Sequence, residues 1–361
     1  MTVINLDQGG RKSRFFSAAS LEGKGIPDRH WLVRDLIPSA TVTLLGGDGG
    51  TGKSLLALQL ACSVAAGSHW LGRGVSGGSA VYVSAEDDEQ ELHRRLASIV
   101  TGYGIGFADL DSLTIRSLAG EDALLAVLDP RTGHQKASDL FQELDALLTD
   151  LQPAVVVLDT LADLFPGNEN DRAQARQFIG ILRGLAIRHD CAVVLLAHPS
   201  LSGLTSGSGT SGSTAWNNSV RSRLYLERVI QDGSEANPDA RVLKGKKANY
   251  GRIGDEVAMT WRDGIFVANE AETGLDRVAR QSKAERVFLK LLRTFEEQGR
   301  RVNASAGPNY APTAFACSPE AEGVQKRALK SAMEALFAAG KIRNVATGPA
   351  SRRVTYLELV P

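Results

Sequence analysis

The sequence predicts an α/β fold: a mostly parallel sheet with helices on both faces and an antiparallel extension, followed by a small C-terminal α+β domain. Strand-length apolar runs alternate with helical patterns between residues 41 and 197. Strands that are apolar throughout and separated by helices indicate a parallel sheet covered on both faces. Beyond residue 214 the strand-like runs follow one another without a long helix, which favours antiparallel pairing.

The elements of this fold follow from hydrophobic periodicity. Helical patterns alternate with the apolar runs, and in the last pattern Phe178, Leu182 and Leu185 share one helical face. The first 38 residues are polar and are predicted to be irregular. The early runs and helices are predicted at 41–46, 53–66, 79–85, 88–102, 112–118, 137–151, 154–160, 171–189 and 191–197, and the later strands at 222–228, 240–248, 256–261 and 264–268.

The tail has a pattern of its own. After a break near 269–281, helices are predicted at 282–298, 311–317 and 323–339, and a two-stranded ribbon follows. This order is typical of a winged helix-turn-helix domain. We therefore predict an N-terminal arm, a core domain and a winged-helix-like basic domain, at residues 1–37, 38–270 and 281–361.

Composition restricts the class of protein. Across 361 residues, 41 Lys and Arg balance 41 Asp and Glu, which argues against a uniformly basic nucleic-acid coat protein. The balance conceals a local excess, because residues 280–361 hold 14 Lys and Arg against 7 Asp and Glu. Three distant cysteines predict buried free thiols rather than a metal or redox site. No signal peptide or membrane-length apolar run is present, so we predict a cytoplasmic protein without membrane contact.

The strongest motif is GDGGTGKS at residues 47–54, which lies between a strand-like run and a helical pattern. This GxxxxGK[ST] sequence in this context is a phosphate-binding P-loop, whose backbone N–H groups surround phosphate oxygens. Lys53 would bridge the β- and γ-phosphates, and the Ser54 hydroxyl would ligate Mg²⁺. The predicted nucleotide-binding residues of the loop are Gly47, Asp48, Gly49, Gly50, Thr51, Gly52, Lys53, Ser54 and Leu55.

Two carboxylates are candidates for the chemistry around this loop. Asp159 ends an apolar run, and we expect it to orient Mg²⁺ from a strand that neighbours the P-loop strand, although such an acid can also cap a helix. Thr160 follows it where many P-loop ATPases carry a catalytic Glu. We therefore expect Glu86, on a strand beside the P-loop strand, to orient and deprotonate water. Alternatively, Glu86 only caps the next helix, a role that we expect of Asp87 or Asp88.

Three further residues lie after the core strands. His198 ends the run at 191–197, where it would contact the γ-phosphate and pass its state to the next loop, or only cap the strand. Arg221 could reach the nucleotide of a neighbouring subunit as an arginine finger. Lys247 belongs to the basic run 244–247, which by itself is typical of a solvated strand edge.

The order of these motifs resembles the RepA-type replicative helicases of plasmids and prophages, which are RecA/DnaB-like ATPases. The resemblance covers about residues 28–268 and rests on GDGGTGKSLLALQLA, VYVSAEDDEQELHRRL, VVVLDTL, LLAHPS, NSVRSRLYL and KKANYG. It implies a RecA-like P-loop core that hydrolyses ATP with Mg²⁺ at the subunit interfaces of a ring, usually a hexamer, and moves on single-stranded DNA.

The resemblance also implies roles for individual residues. Glu86 matches the catalytic base, His198 the γ-phosphate sensor and Arg221 the finger from the next subunit. Lys247 matches a lysine near the neighbouring nucleotide. The loop at 200–214 lies where RecA-like proteins contact DNA, but it contains no Lys, Arg or aromatic residue and so offers no stacking platform.

Three functions remain open on the sequence. The first is a ring-forming DNA motor, the second a regulatory or loader ATPase that binds DNA without unwinding it, and the third a nucleotide-gated DNA-binding module. The helix at 323–339 carries polar and basic residues near its start, which favours duplex DNA binding, but a replication protein could bind there instead. These residues are Gln325, Lys326, Arg327 and Lys330, and Arg352 and Arg353 lie on the ribbon.

Overall fold

The computed structural model divides the chain into two compact units, Met1–Asn269 and Glu270–Pro361. It describes residues 15–198, 214–230, 234–235, 237–251, 254–270, 274–347 and 354–360, with the backbone alone at 214 and 274–277. The predicted loop at 200–214, apart from its last residue, and the ribbon residues Arg352 and Arg353 therefore lie outside the described residues. Among the described helices, none combines the length and the apolar character that a membrane span requires.

The first unit alternates strands and helices. Its strands are β1 (Trp31–Val33), β2 (Ile37–Pro38), β3 (Thr41–Gly47), β4 (His69–Trp70), β5 (Arg73–Gly74), β6 (Ala80–Ser84), β7 (Leu113–Ser117), β8 (Ala126–Leu128), β9 (Gln135–Ala137), β10 (Val155–Asp159), β11 (Ala192–Ala197), β12 (Ser222–Arg228), β13 (Ala240–Ala248), β14 (Glu256–Arg262) and β15 (Ile265–Ala268). Its helices are α1 (Lys53–Ala65), α2 (Glu89–Tyr103), α3 (Asp139–Leu151), α4 (Leu161–Leu164), α5 (Arg172–Arg188) and α6 (Thr214–Ser219). All the strands and helices predicted for this unit are present, which confirms the period-based predictions.

Within the described residues, nine strands form one sheet in the order β15-β14-β13-β12-β3-β11-β10-β6-β7. The strands from β12 to β7 run parallel, and β13 to β15 add an antiparallel extension. The predicted α/β fold is confirmed, and it is that of a RecA-like P-loop core. The prediction that Asp159 and Glu86 lie on strands directly beside the P-loop strand is wrong. β11 separates β3 from β10, and β6 lies one strand further, because chain order does not fix the spatial order of parallel strands.

The two faces of the sheet bury alternate residues of the same strand. Val155 and Val157 of β10 belong to a core that includes α1 and α2. Val156 and Leu158 belong to a second core that includes α3 and α5. Because each strand side chain points to the face opposite its neighbour's, continuous apolar strands fill both cores at once. The helices therefore cover both faces, as predicted.

The end of the segment predicted to be irregular is part of this fold. Strands β1 and β2 pair antiparallel, and Leu32, Val33, Leu36 and Ile37 are buried in the first core. The prediction that residues 1–38 are irregular is therefore wrong for residues 31–38. Strands of two or three residues are too short to display a hydrophobic period, so the sequence pattern does not reveal them.

The second unit contains α7 (Gly274–Glu297), α8 (Ala311–Ala316), α9 (Lys326–Ala338), β16 (Ile342–Thr347) and β17 (Val354–Leu359). The two strands pair antiparallel, which gives the three helices and ribbon of a winged-helix-like domain. The predicted break at 269–281 is wrong beyond residue 273, because α7 begins at Gly274. Residues 278–280 of its early turns are exposed, so they carry no apolar period to predict a helix. Cys317, after α8, is exposed, so the prediction of buried thiols holds only for Cys62 and Cys191.

Candidate nucleotide-binding site

The P-loop connects β3 to α1 and is packed against the antiparallel extension. At Gly52 the backbone φ is +94°, and a Cβ atom would lie 2.6 Å from the Phe266 ring. Both the conformation and the close approach therefore require glycine. Phe266 is fixed in turn by Gln59 of α1, whose buried side-chain amide donates to the Phe266 carbonyl (3.0 Å) and accepts from its N–H (2.8 Å). Helix α1, the P-loop and β15 are therefore fixed in position relative to one another.

Side chains from β12 and β13 support the loop from its other side. The Tyr225 hydroxyl donates to Asp48 Oδ1 at 2.6 Å. The buried Arg241 guanidinium donates through Nε to the Thr51 carbonyl at 3.2 Å. Within the loop, the Thr51 hydroxyl donates to the Asp48 carbonyl at 2.8 Å. These contacts fix the loop backbone, and a pre-shaped backbone is what phosphate binding by N–H groups requires.

Lys53 is the first side chain of α1 and is 6% exposed. Its ammonium lies 2.7 Å from the Gly47 carbonyl and 3.0 Å from the Asp48 carbonyl, to which it donates. Burial lowers its pKa, while the carboxylates of Asp159, Glu86 and Asp48 act in the opposite direction. The ammonium is therefore held at the mouth of the loop by acceptors that a phosphate oxygen can replace.

His198, directly after β11, lies between Lys53 and Glu86. Its Nδ1 is 3.3 Å from the Lys53 ammonium, and its Nε2 is 3.6 Å from Glu86 Oε1. An ammonium can only donate, so Nδ1 is the acceptor and the neutral ring carries its proton on Nε2, facing Glu86. The longer distance exceeds that of a direct hydrogen bond, so the ring and the carboxylate are near one another without being directly bonded.

Asp159 ends β10 and is 1% exposed. Tyr82 of β6 donates its hydroxyl proton to Asp159 Oδ2 at 2.8 Å, and the same hydroxyl lies 3.2 Å from the Ser54 carbonyl. Burial raises the pKa of Asp159 to about 6, hydrogen bonds from Tyr82 and Ser54 lower it, and the carboxylates of Glu86 and Asp87 raise it further. A buried carboxylate among other acids, with a serine hydroxyl beside it, is a donor set that fits Mg²⁺.

The acidic residues that follow β6 have different partners. Asp88 caps α2, because its carboxylate accepts from the Glu91 N–H at 2.7 Å. Asp87 forms an ion pair with Arg95 at 2.5 Å. Glu86 is about half exposed and faces His198. Thr160, which follows the strand acid, is buried, and its hydroxyl donates to the Leu196 carbonyl. Helix capping therefore does not account for Glu86, whereas it accounts fully for Asp88.

These side chains line one cleft of about 490 Å³, a size that suits a nucleotide. The loop residues Lys53 and Ser54 line it together with Glu86, Asp159 and His198. Further lining residues come from α1, α2 and the antiparallel extension: Leu55, Arg94, Ser98, Trp261 and Gly264. The structure thus brings together residues that lie at five separate places in the sequence.

Arg221 and Lys247 are not brought to this cleft within the described part of the chain. Arg221 precedes β12 at the end where Ser222 pairs with Thr43, whereas the P-loop follows the other end, where Leu226 pairs with Gly47. The Lys247 ammonium donates to the Asn217 carbonyl at 2.7 Å. Burial and the nearby Arg221 charge lower the pKa of Lys247. The two cations are therefore neighbours, at the far end of the strand that supports the P-loop.

The basic run of β13 is paired with strands on both sides only at Lys244. Strand β13 pairs with β12 on one side and with β14 on the other. Lys244 and Lys246 each form an ion pair with Glu227 at 2.7 Å. The interpretation of residues 244–247 as a solvated strand edge is therefore wrong for Lys244, which pairs with Glu256 of β14. Residues 245–247 extend beyond the pairing with β14 and are partly exposed.

Several residues of the site were not singled out from the sequence, among them Tyr82 and Trp261. Tyr82 lies inside an apolar strand run and reads as a core residue, and only the hydroxyl distinguishes it from its apolar neighbours. Trp261 of β14 is 44% exposed in the cleft. A large aromatic side chain on the strand pattern 256–261 was a possible signal, but nothing in that pattern places it near the P-loop.

Comparison with known proteins assigns the family. The model of the family described as AAA domain matches residues 11–203, which is more than half of the chain. The chain belongs to the AAA domain family. This is a family of P-loop ATPases. The matched part of the chain runs from before β1 to just after β11, so it includes the P-loop, Glu86, Asp159 and His198. The AAA domain match ends before Arg221, Lys247 and Trp261.

The chain is also similar to curated proteins named DNA repair protein RadA. It is 30% identical over 194 residues to that of Synechocystis sp., which is 52% of this chain and 34% of the relative. It is 26% identical over 226 residues to that of Mycobacterium tuberculosis, which is 61% of this chain and 37% of the relative. The chain spans about a third of the length of the curated relatives that it matches.

Proposed function

We propose that this chain binds ATP and Mg²⁺ in the cleft, hydrolyses the ATP and uses the reaction to act on DNA. One observation carries the proposal: the His198 ring lies 3.3 Å from the Lys53 ammonium and 3.6 Å from the Glu86 carboxylate, at the mouth of a P-loop. A cation, a polar ring and a carboxylate in one row are the groups needed to hold a γ-phosphate and to activate water beside it.

The loop residues bind and orient the triphosphate. Lys53 exchanges a loop carbonyl for phosphate oxygens, and the loop N–H groups at the start of α1 donate hydrogen bonds to the remaining phosphate oxygens. The Ser54 hydroxyl and the Asp159 carboxylate hold Mg²⁺, which when bound neutralises phosphate charge. Because the Asp159 side chain is buried, its carboxylate is held in one position before Mg²⁺ binds.

Glu86 orients the attacking water and takes its proton. His198 carries its proton on Nε2, so it can donate a hydrogen bond to a γ-phosphate oxygen on the side that faces Glu86. When the Lys53 ammonium turns to the phosphate, it leaves His198 Nδ1. The state of the nucleotide therefore changes the hydrogen bonding at the end of β11, directly before the predicted DNA-contacting loop. This is a physical route by which hydrolysis can reach a DNA contact.

The nucleobase lies toward Trp261. Trp261 is the register partner of Phe266, and directly opposed residues of paired strands point to the same face of a sheet. The Phe266 ring approaches Gly52, so the Trp261 indole lies on the face that carries the P-loop. Stacking of a base on an aromatic ring contributes roughly 1–3 kcal/mol and tolerates any base.

Action on DNA is supported by two observations. The curated relatives are named DNA repair proteins, and the tail has a clear excess of basic residues. Part of this excess is already paired within the tail, because Arg286 and Lys290 of α7 form ion pairs with Glu322 and Glu320. At the start of α9, the polar and basic residues lie opposite the buried Leu329 and Met333, which is the arrangement of a helix that reads duplex DNA.

The finer proposal is a RepA-like replicative helicase that works on single-stranded DNA as a ring, a hexamer as is usual for that family. Arg221 and Lys247 support a ring, because their place at the far end of β12 suits contact with a neighbour's nucleotide rather than their own. The second candidate is a loader or regulatory ATPase, which the helix of the tail favours. There the tail binds duplex DNA or a replication protein.

The test measures ATP hydrolysis with and without single-stranded DNA, and then strand displacement on a forked duplex. DNA-stimulated hydrolysis with displacement supports the helicase, and stimulation without displacement supports the loader. Absence of hydrolysis with and without DNA contradicts both. For the ring, Arg221→Ala is mixed with Lys53→Ala, since each subunit then lacks a different half of a shared site. Recovered activity is expected, and none would contradict sharing.

A further inference from the structure

The Tyr82 hydroxyl touches both residues of the proposed magnesium pair. Tyr82 is fully buried on β6, and its hydroxyl lies 2.8 Å from Asp159 Oδ2 and 3.2 Å from the Ser54 carbonyl. Strand β6 pairs with β10 so that Tyr82 lies opposite Val157, two residues before the aspartate. The phenol ring therefore spans the distance between the strand pair and the first turn of α1.

A hydroxyl has one proton, so it cannot donate fully to both acceptors. The carboxylate is the shorter contact and carries charge, and hydrogen bonds to ionised groups are the stronger ones. The proton therefore goes to Asp159 Oδ2, and the Ser54 carbonyl is a secondary acceptor. This hydrogen bond fixes the plane of the carboxylate.

We infer that Tyr82 is a positioning residue for magnesium: it fixes the rotation of the Asp159 carboxylate and ties it to the backbone of Ser54. The inference rests on the proposed function and deepens it. Asp159 is 1% exposed, so water cannot replace a lost donor there, and an unpaired acceptor on a buried charge is costly. A tyrosine that only filled space would need no hydroxyl at this place.

The test replaces Tyr82 by Phe, which keeps the ring and removes the hydroxyl. A fluorescent ADP analogue is titrated onto the whole chain, first in EDTA and then at increasing Mg²⁺. Loss of a partner behind a metal ligand typically costs about 10–100-fold in metal affinity. We expect the Mg²⁺ concentration for half-maximal binding to rise by about that factor, while binding in EDTA stays within about twofold of wild type.

Tyr103→Phe is the matched control. The Tyr103 hydroxyl is also largely buried on the same side of the sheet, where it accepts from Gln59 at 3.1 Å and from Ser63 at 3.4 Å. It makes no hydrogen bond to Asp159 among the described contacts. Its removal disturbs the packing around α1 but leaves the magnesium pair intact, so the Mg²⁺ midpoint is expected to remain that of wild type.

The outcomes separate this inference from the proposed function. A wild-type chain that binds no nucleotide contradicts the proposed function. A wild-type chain with Mg²⁺-dependent binding, together with a Tyr82→Phe midpoint equal to that of wild type, overturns the inference alone. In an Asp159→Asn background, Tyr82→Phe should have no further effect on the midpoint, because the hydroxyl acts through the carboxylate.

If Tyr82→Phe does not fold, 3-fluorotyrosine at position 82 keeps the hydroxyl and the shape of the ring. Its ¹⁹F signal in the ADP-bound protein should shift when Mg²⁺ is added, and 3-fluorotyrosine at position 103 should not shift. A signal at position 82 that Mg²⁺ leaves unchanged overturns the inference.

Discussion

Nδ1 of His198 lies 3.3 Å from the ammonium of Lys53, which joins the end of β11 to the start of α1. The two residues are far apart in sequence and come from different elements of the same sheet edge. The contact gives the imidazole a defined tautomer, with Nε2 as the donor. It also means that a ligand which attracts Lys53 changes the hydrogen bonding of His198 at the same moment.

His198→Ala should therefore impair hydrolysis more than binding. Removing a single preorganised donor from a transition state costs roughly 100-fold in kcat, whereas the loop contacts to nucleotide remain. The measurement compares kcat for ATP hydrolysis with the affinity for ADP. His134→Ala, at an exposed position outside the cleft, should change neither quantity. Equal losses in kcat and ADP affinity would instead indicate a structural role for His198.

Glu86→Gln should abolish turnover and preserve ATP binding. The amide keeps the size of the side chain but cannot take a proton from water, and loss of a general base costs about 10²–10⁴ in rate. Single-turnover hydrolysis and nucleotide affinity check this. Glu89→Gln, in the exposed first turn of α2, is the matched control and should behave as wild type. Hydrolysis that survives Glu86→Gln means that the base lies elsewhere.

The raised pKa of Asp159, about 6, predicts a pH effect. The folded protein holds this proton more tightly than an unfolded chain with a pKa of about 3.9, so the group lowers the unfolding free energy as pH rises from about 4 to about 6, by on the order of 3 kcal/mol. Mg²⁺ needs the ionised carboxylate. Its half-saturating concentration should therefore rise about tenfold per pH unit below the pKa of Asp159.

Mg²⁺ titrations between pH 5 and pH 8 measure this dependence. Asp159→Asn cannot titrate at this position, so its Mg²⁺ requirement should be higher and nearly independent of pH in that range. A wild-type Mg²⁺ midpoint that stays constant down to pH 5 would contradict a direct magnesium role for Asp159.

Gly52→Ala should destabilise the first unit. Its φ of +94° is unfavourable for alanine, and the new methyl group would lie 2.6 Å from the Phe266 ring. Strained backbone of this kind costs about 1–3 kcal/mol, and the clash adds to it. The free energy of unfolding in denaturant measures the loss. Gly49→Ala is the control in the same loop, because a Cβ there meets nothing within 4 Å, and it should be nearly as stable as wild type.

Much of this architecture was predictable because its signals are local. The motif at 47–54 fixes the loop between β3 and α1, and apolar runs ending in Asp159, Glu86 or His198 place these side chains at strand ends. Parallel strands share one carboxyl edge, so the residues were expected close together before the strand order was known. Their catalytic roles remain predictions.

What the sequence could not predict depends on contacts across the chain. The positions of β10 and β6 relative to β3 depend on how crossovers are laid down, which no local pattern encodes. The role inferred for Tyr82 depends on its hydroxyl, which contacts Asp159 of the neighbouring strand. Trp261 lies in the cleft because Gln59 anchors its register partner Phe266. Each of these depends on tertiary pairing rather than on hydrophobic period.

Strand β12 has hydrogen-bonded partners on both sides, parallel β3 and antiparallel β13. Near one end, Tyr225 holds Asp48 of the P-loop, and at the other end the chain enters from Arg221. The register of β12 against β13 shifts between Arg223 and Leu224, close to the arginine end. From Leu224 to Leu226 the strand is regularly paired along both edges and is therefore stiff. A displacement of the P-loop would pass along this stretch without a hinge, and the irregularity beside Arg223 is where the strand could absorb it. Whatever passes between the loop and Arg221 is therefore decided at that single irregular step.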